Sequence, residues 1–315
     1  MTDRPGETAP TPRGLPRAAW MEIGKRVWAD IGRDHVALIA AGIAFFGLLA
    51  LFPAITALMA IAGLVLEPSQ VTEQLDRISA FVPQGASEII LGQAQEVAGS
   101  DQAGLGLAAV VGLGLALYSA SKGVSSLMEG LCVAYDEQDE RGFVKRTALT
   151  LVLTVVLVIG IVAGLAATIL VPSLLSLLTL GPVTEFLVAA ARWVVLLAMT
   201  VVGIGILYRY GPDRDAPQWR WLTPGAVLAT ILWIAASAGF AIYAENFASY
   251  QESFGAMAGM IVLLMWLWIS AYAILVGAEI NAEAERQTAQ DSTVGEARPA
   301  GSRGATAADH APKTD

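Results

Sequence analysis

Long apolar runs without charge dominate the pattern of this chain. The first, Val36 to Leu66, reads VALIAAGIAFFGLLALFPAITALMAIAGLVL: thirty-one residues with no charged side chain and one proline, Pro53, just past the middle. As a helix it would rise about 46 Å, against a hydrocarbon core of about 30 Å, so it must tilt, kink or break. Pro53 is the expected break. Its ring removes a backbone donor and crowds the carbonyl of Leu49, leaving polar backbone that neighbouring helices or water must cover. Phe46 to Thr56 is therefore a candidate cavity wall, the alternative being a packing kink in a tilted helix.

Five further apolar runs predict spans over Gly104 to Leu127, Thr147 to Val171, Phe186 to Tyr208, Leu222 to Ala244 and Gly255 to Ala278. The fold class is thus all-α, a polytopic bundle of six transmembrane helices occupying 35–286. Before it, over 15–34, Trp20, Ile23, Val27, Trp28 and Ile31 recur at helical spacing, with Glu22, Lys25, Arg26, Asp30 and Arg33 around the other side. This predicts an interfacial amphipathic helix with its tryptophans at headgroup depth, in preference to a basic RNA-binding helix. Residues 67–103 alternate polar stretches with short amphipathic ones and predict an extracytoplasmic cap. Residues 1–14, rich in Pro, Gly and Thr, and the polar, aperiodic tail 287–315 predict disorder.

Composition agrees with the pattern: of 315 residues 55% are hydrophobic and 15% charged, with a mean hydropathy of +0.59. A soluble domain is excluded. The net charge of -9 says little about partners, because topology follows the placement of Lys and Arg. Six spans put sixteen of the nineteen on one side; Arg77 stands opposite, and Lys122 and Arg192 lie within spans. Both termini are therefore expected in the cytoplasm, in a multi-pass inner-membrane protein whose uncleaved first span serves as targeting signal. The single cysteine, Cys132, rules out an intramolecular disulfide.

Candidate chemistry concentrates on the second span. Tyr118, Lys122, Ser125 and Glu129 recur at i, i+4, i+7 and i+11, a polar stripe that should face protein or water. Lys122 reads either as a substrate or ion contact, with Glu129 or another carboxylate as partner, or as a snorkelling residue near the span's end. Arg192, seven residues after Glu185, is a candidate anion contact if it faces inward. Glu279 and Asn281 are expected to pair with the basic loops around Arg146 or Arg209. Gly160 with Gly164 and Gly255 with Gly259 are spaced for helix packing. His35 and His310 cannot build a histidine metal site or a catalytic triad, and Asp136, Glu137, Asp139 and Glu140 read as solvated surface rather than a metal site. No Walker sequence is present.

Several stretches resemble the YihY/BrkB family of bacterial inner-membrane proteins, also labelled ribonuclease BN-like: AAGIAFFGLLALFP, YSASKGVSSLMEGLCVAYDEQDERGFVKR, LYRYGPDR, WRWLTPGA and SYQESFGAMAGMIVLLMWLWISAYAILVGAEINAE. The resemblance implies six helices, a virulence-associated or transfer-RNA nuclease label, and for relatives a role in moving envelope lipids or solutes. The nuclease label conflicts with the missing histidine site. The expected function is a transporter or lipid or solute translocation protein of the cell envelope, without cofactor or metal. Its expected partners are membrane lipids and an anionic lipid or solute, and not nucleic acid. Alternatives are a non-transporting envelope factor acting through protein partners or a second copy, and, least favoured, a membrane-bound ribonuclease.

Overall fold

Each apolar run is helical where it is described, and most of the helices outlast their runs. The computed structural model describes residues 4–65, 102–175, 182–246 and 256–312. A 3-10 turn, Pro12–Gly14, precedes α1 (Arg17–Arg33), α2 (Val36–Val65), α3 (Gln102–Ala134), α4 (Phe143–Leu175), α5 (Pro182–Tyr210), α6 (Trp219–Asn246), α7 (Ala256–Gln287) and the single turn α8 (Thr306–Asp309). No strand occurs among the described residues. Five of these helices, α3 to α7, contain stretches long and apolar enough to cross a membrane, and α1 with Val36–Leu51, counted as one bent span, brings the number to six. The expected cap lies outside the described residues, apart from Gln102 and Ala103 at the start of α3. α2 passes through Pro53 as one helix, so the expected break there is not an interruption.

Contacts divide the chain into two compact units, one of Met1–Ala37, Leu127–Leu232 and Ala273–Asp315, the other of Leu38–Ser126 and Trp233–Tyr272. In the second, Gly123 of α3 lies against Phe46 and Gly47 faces Leu267. The indole of Trp233 donates to Ser270 Oγ at 3.0 Å and that of Trp266 to Ser237 Oγ at 3.2 Å, joining α6 to α7. Such bonds replace water that hydrocarbon does not supply.

The first unit adds contacts to two of the expected segments, the surface helix and the chain ends. Ala19, Ile23 and Val27 of α1 are buried with Ala9, Leu15 and Ala284, and Trp20, Ile31 and Ile280 close the cluster. The apolar face of α1 is therefore covered by the chain itself. Trp28, one residue and about 100° on from Val27, points off that face and is 80% exposed.

Neither terminal segment is loose where it is described. Ala289 N donates to Glu7 O at 2.8 Å and Thr288 Oγ1 to Ala9 O at 2.7 Å, tying the two ends together. Gln218 N donates to Ser292 O and Val294 N to Ala216 O, and the buried Arg303 donates to the carbonyls of Ala289 and Ala308. The prediction of disorder weighed apolar side chains. Here backbone pairing and one arginine order a tail that has few of them.

Candidate functional site

α3 carries Tyr118, Lys122 and Ser125 along one side, and Tyr118, 62% exposed, and Lys122 beside it are not enclosed by the described residues. The Lys122 ammonium lies over the Tyr118 ring, 5.4 Å from its centroid, and forms no ion pair among the described residues. Because α3 continues to Ala134, Lys122 is twelve residues, about 18 Å, short of the helix end. Glu129, its expected partner, pairs instead with Arg146 of α4, whose Nε is also 3.4 Å from Asp139. Two helical turns separate Lys122 from Glu129, about 10 Å of rise, too far for a direct pair.

Arg192 rests against Trp193, its guanidinium 5.7 Å from the ring centroid, and its buried Nε has no hydrogen-bond acceptor among the described residues. The side chain of Glu185 lies outside the described ones. A cleft of about 640 Å³ opens between the Pro12 turn and the start of α6, lined by Arg13, Arg220, Thr223, Val227 and Ile231 among others. Two guanidiniums thus border an apolar wall.

The densest chemistry sits at the C-terminal end of α7, where Glu279, Asn281, Glu283, Glu285, Arg286 and Gln287 are all buried. Each ionic group but one has its counter-charge. Arg26 of α1 pairs with Glu283 and donates to Gln287 at 2.7 Å. Arg286 bridges Glu283 and Asp136. Arg214 meets Glu285 with both side chains fully buried, its Nη2 2.6 Å from Oε2, and lies over the Tyr135 ring at 4.8 Å. Asp136 is placed for this by the end of α3, where it takes a left-handed φ of 54° while Glu137 N donates back to Cys132 O.

Asn281 and Glu279 do not reach the basic loops as expected. Asn281 accepts from Gly225 N at 2.8 Å and donates to Leu222 O at 3.0 Å, serving backbone of α6 around Pro224, which has no N–H of its own. Arg209 is occupied by Pro217 O and by the Trp219 ring. The Glu279 carboxyl is 0% exposed, and neither oxygen has a hydrogen-bond partner among the described residues. Of this cluster the sequence reading singled out Glu279 and Asn281 alone. Arg214 and Glu285 stand 71 residues apart and share no local pattern.

Of the acidic run after α3, Asp136, Glu137 and Asp139 have their side chains bound into the protein, while that of Glu140 is exposed. Glu137 accepts from Thr306 N at 2.7 Å and Asp139 from Arg141 Nε at 2.7 Å, while Glu140 N donates to Asp213. Burial raises the Asp139 carboxyl, but bonds and charge from Arg141, with the Arg146 charge, outweigh it and hold the group below its ordinary value. Asp291 and Asp309 are also lowered: burial opposes, and backbone donors from Arg298 and Thr293 in one case and Arg303 and Gly301 in the other prevail. Glu137 goes the other way, raised by burial against the pull of Thr306. A lowered folded-state value gives stability that is present above the ordinary carboxylate range near pH 4 and lost as pH falls through the folded value. Glu137 gives the opposite sign, more stability as pH falls. Asp30, raised by burial and by the Glu283 charge, acts with Glu137; Asp309→Asn removes one of the opposing groups, so its melting temperature is expected to fall less, or rise more, than that of wild type between pH 5 and pH 3.

Residues 27–301 match the model of a family described as Virulence factor BrkB. A protein named for its likeness to ribonuclease, YfkH of Bacillus subtilis, is 30% identical over 257 residues, covering 77% of this chain and 88% of its own. UPF0761 membrane proteins of Tolumonas auensis and Xanthomonas campestris pv. campestris (strain B100) are 36% and 37% identical over 84 residues, 27% of this chain and 28% and 20% of theirs. No solved structure matches. Five or six apolar spans and a family match across most of the sequence identify the chain as an integral membrane protein of the BrkB family.

Proposed function

We propose that this chain translocates an anionic lipid headgroup or anionic solute across the bacterial inner membrane, with both termini in the cytoplasm. The observation that carries the reading is Lys122. An ammonium on an apolar helix, twelve residues from the helix end and set over an aromatic face, with no carboxylate partner among the described residues, is open to a mobile anion. The Arg13 and Arg220 cleft supports an anionic substrate with an apolar portion. The orientation rests on the sixteen Lys and Arg that six spans gather on one side.

The reading in which the chain acts through envelope partners relied on the cap over 67–103, nearly all of it outside the described residues, and on a free surface helix and tail. The helix and tail are both engaged by the chain where they are described, which weakens it. RNA cleavage comes from the name of a relative, and protein-dependent cleavage by purified material would be its support. For translocation, Lys122→Ala is expected to lower the rate of anion movement in proteoliposomes at least tenfold while membrane insertion and melting temperature stay unchanged. Normal movement in that variant would remove Lys122 from the mechanism.

A further inference from the structure

Glu279 is the one carboxylate of the α7 cluster that the surrounding cations leave unserved. Its electrostatic neighbours are Asp34 and Asp30 from the end of α1, Tyr135 from the end of α3, and Glu283 and Arg286 from α7 itself. The α6 stretch across from Asn281 offers backbone of Leu222 and Gly225. Every guanidinium nearby is already engaged. Arg33 holds Asp30 at 2.6 Å and Asp34 at 3.4 Å, Arg26 holds Glu283, and Arg286 holds Glu283 and Asp136. Five carboxylates, Asp30, Asp34, Asp136, Glu279 and Glu283, therefore share three arginines.

An ionised carboxylate with no donor and no exposure is among the costliest groups a protein can hold. Like charges on two sides add to that cost. One small change relieves both: addition of a proton from water to a Glu279 oxygen, which forms an O–H bond and leaves a neutral acid. The neutral acid brings a donor into a region of carboxylate acceptors, and it needs no counter-ion. No group of three or more His, Cys, Asp or Glu suited to a metal ion occurs among the described residues, so the cluster does not offer a cation other than a proton an evident cage.

We propose that Glu279 is a proton-binding site, loaded in the conformation seen here, and that its loading and unloading supplies the pH-dependent step of translocation. The second half rests on the translocation reading; the first half does not. Loss of the proton would place a bare charge beside Asp30 and Asp34. Their pairing with Arg33, at the junction of α1 and α2, is the element such a charge would disturb.

The test is infrared spectroscopy of the purified full chain in lipid, titrated in H2O and D2O. Wild type is expected to show a deuterium-sensitive protonated-carboxyl stretch at neutral pH that is missing from Glu279→Gln, with the melting temperature of that variant unchanged. Asp34→Asn removes a like charge without touching Glu279. It should retain the band and move its loss to lower pH by about one unit, since a like charge disfavours ionisation. Identical spectra for wild type and Glu279→Gln, or a band indifferent to Asp34→Asn, would overturn the site. Translocation is read separately: pH-dependent movement in wild type that turns pH-independent in Glu279→Gln supports the coupling. A chain that shows the band but moves nothing would overturn the translocation reading and leave the proton site standing.

Discussion

Arg214→Ala is expected to cost about 3–5 kcal/mol and to reduce sharply the folded protein recovered from membranes, because it strands Glu285 as a buried, unpaired charge. Both side chains are fully buried, Nη2 stands 2.6 Å from Oε2, and the remaining partner of Glu285 is the Ser292 hydroxyl at 2.7 Å. Burial opposes the charge of Arg214, but the Glu285 charge and hydrogen bond prevail and raise its pKa further. The pair is held by mutual need rather than by net gain. Arg214→Met with Glu285→Met should therefore recover most of the loss, as paired apolar replacements of buried ion pairs do. Arg214→Lys should fall between, keeping the charge and losing the two-pronged contact. Thermal unfolding of purified protein checks all three, and an Arg214→Ala chain that melts with wild type would show that the pair is not buried as described.

Gly225→Leu is expected to have a comparably large effect by a different route. A Cβ at Gly225 would run into Gly277 O and into the Asn281 side chain, and one at Gly277 would meet the Tyr208 hydroxyl and Gly225 O. The obstacles are backbone carbonyls, so the helices must separate for a side chain to fit. That separation would also withdraw Asn281 from Gly225 N and Leu222 O, leaving buried backbone unsatisfied. Neither Gly225→Leu nor Gly277→Leu should accumulate as folded protein. Gly160→Ala is the control: nothing lies within 4 Å of its added Cβ, and its expression and melting should match wild type.

What the sequence disclosed follows from what lipid demands. A run of twenty or more apolar residues has few alternatives to a helix in a bilayer, so α2 to α7 were legible one by one. Their ends were not. Apolarity marks where a helix meets lipid and says nothing of where it stops being a helix. α7 thus continues past Ala278 through NAEAERQ because Ala282 and Ala284 pack and the charges find partners. The same limit hid the end of α3, which carries on past Leu127 to Ala134.

The stripe itself was legible from spacing, but the partner of Glu129 was not, since Arg146 comes from the next helix. Gly225 with Ala229 and Ala273 with Gly277 are also four apart, but that spacing is too common in membrane helices to single them out, and what marks them is the approach of Gly277 O and Gly225 O, which sequence does not show. The contacts of the tail were not legible, because they come from backbone hydrogen bonds and from Arg303, and a composition rich in Gly, Ala and Thr conceals both.

The most direct test of the account is the movement of fluorescently labelled anionic phospholipid, against a zwitterionic one, in proteoliposomes holding the wild-type chain and in empty vesicles. The account predicts protein-dependent movement that favours the anionic label and is lost in Lys122→Ala. Equal rates in loaded and empty vesicles for that label, and for small anions tried in the same way, would contradict it.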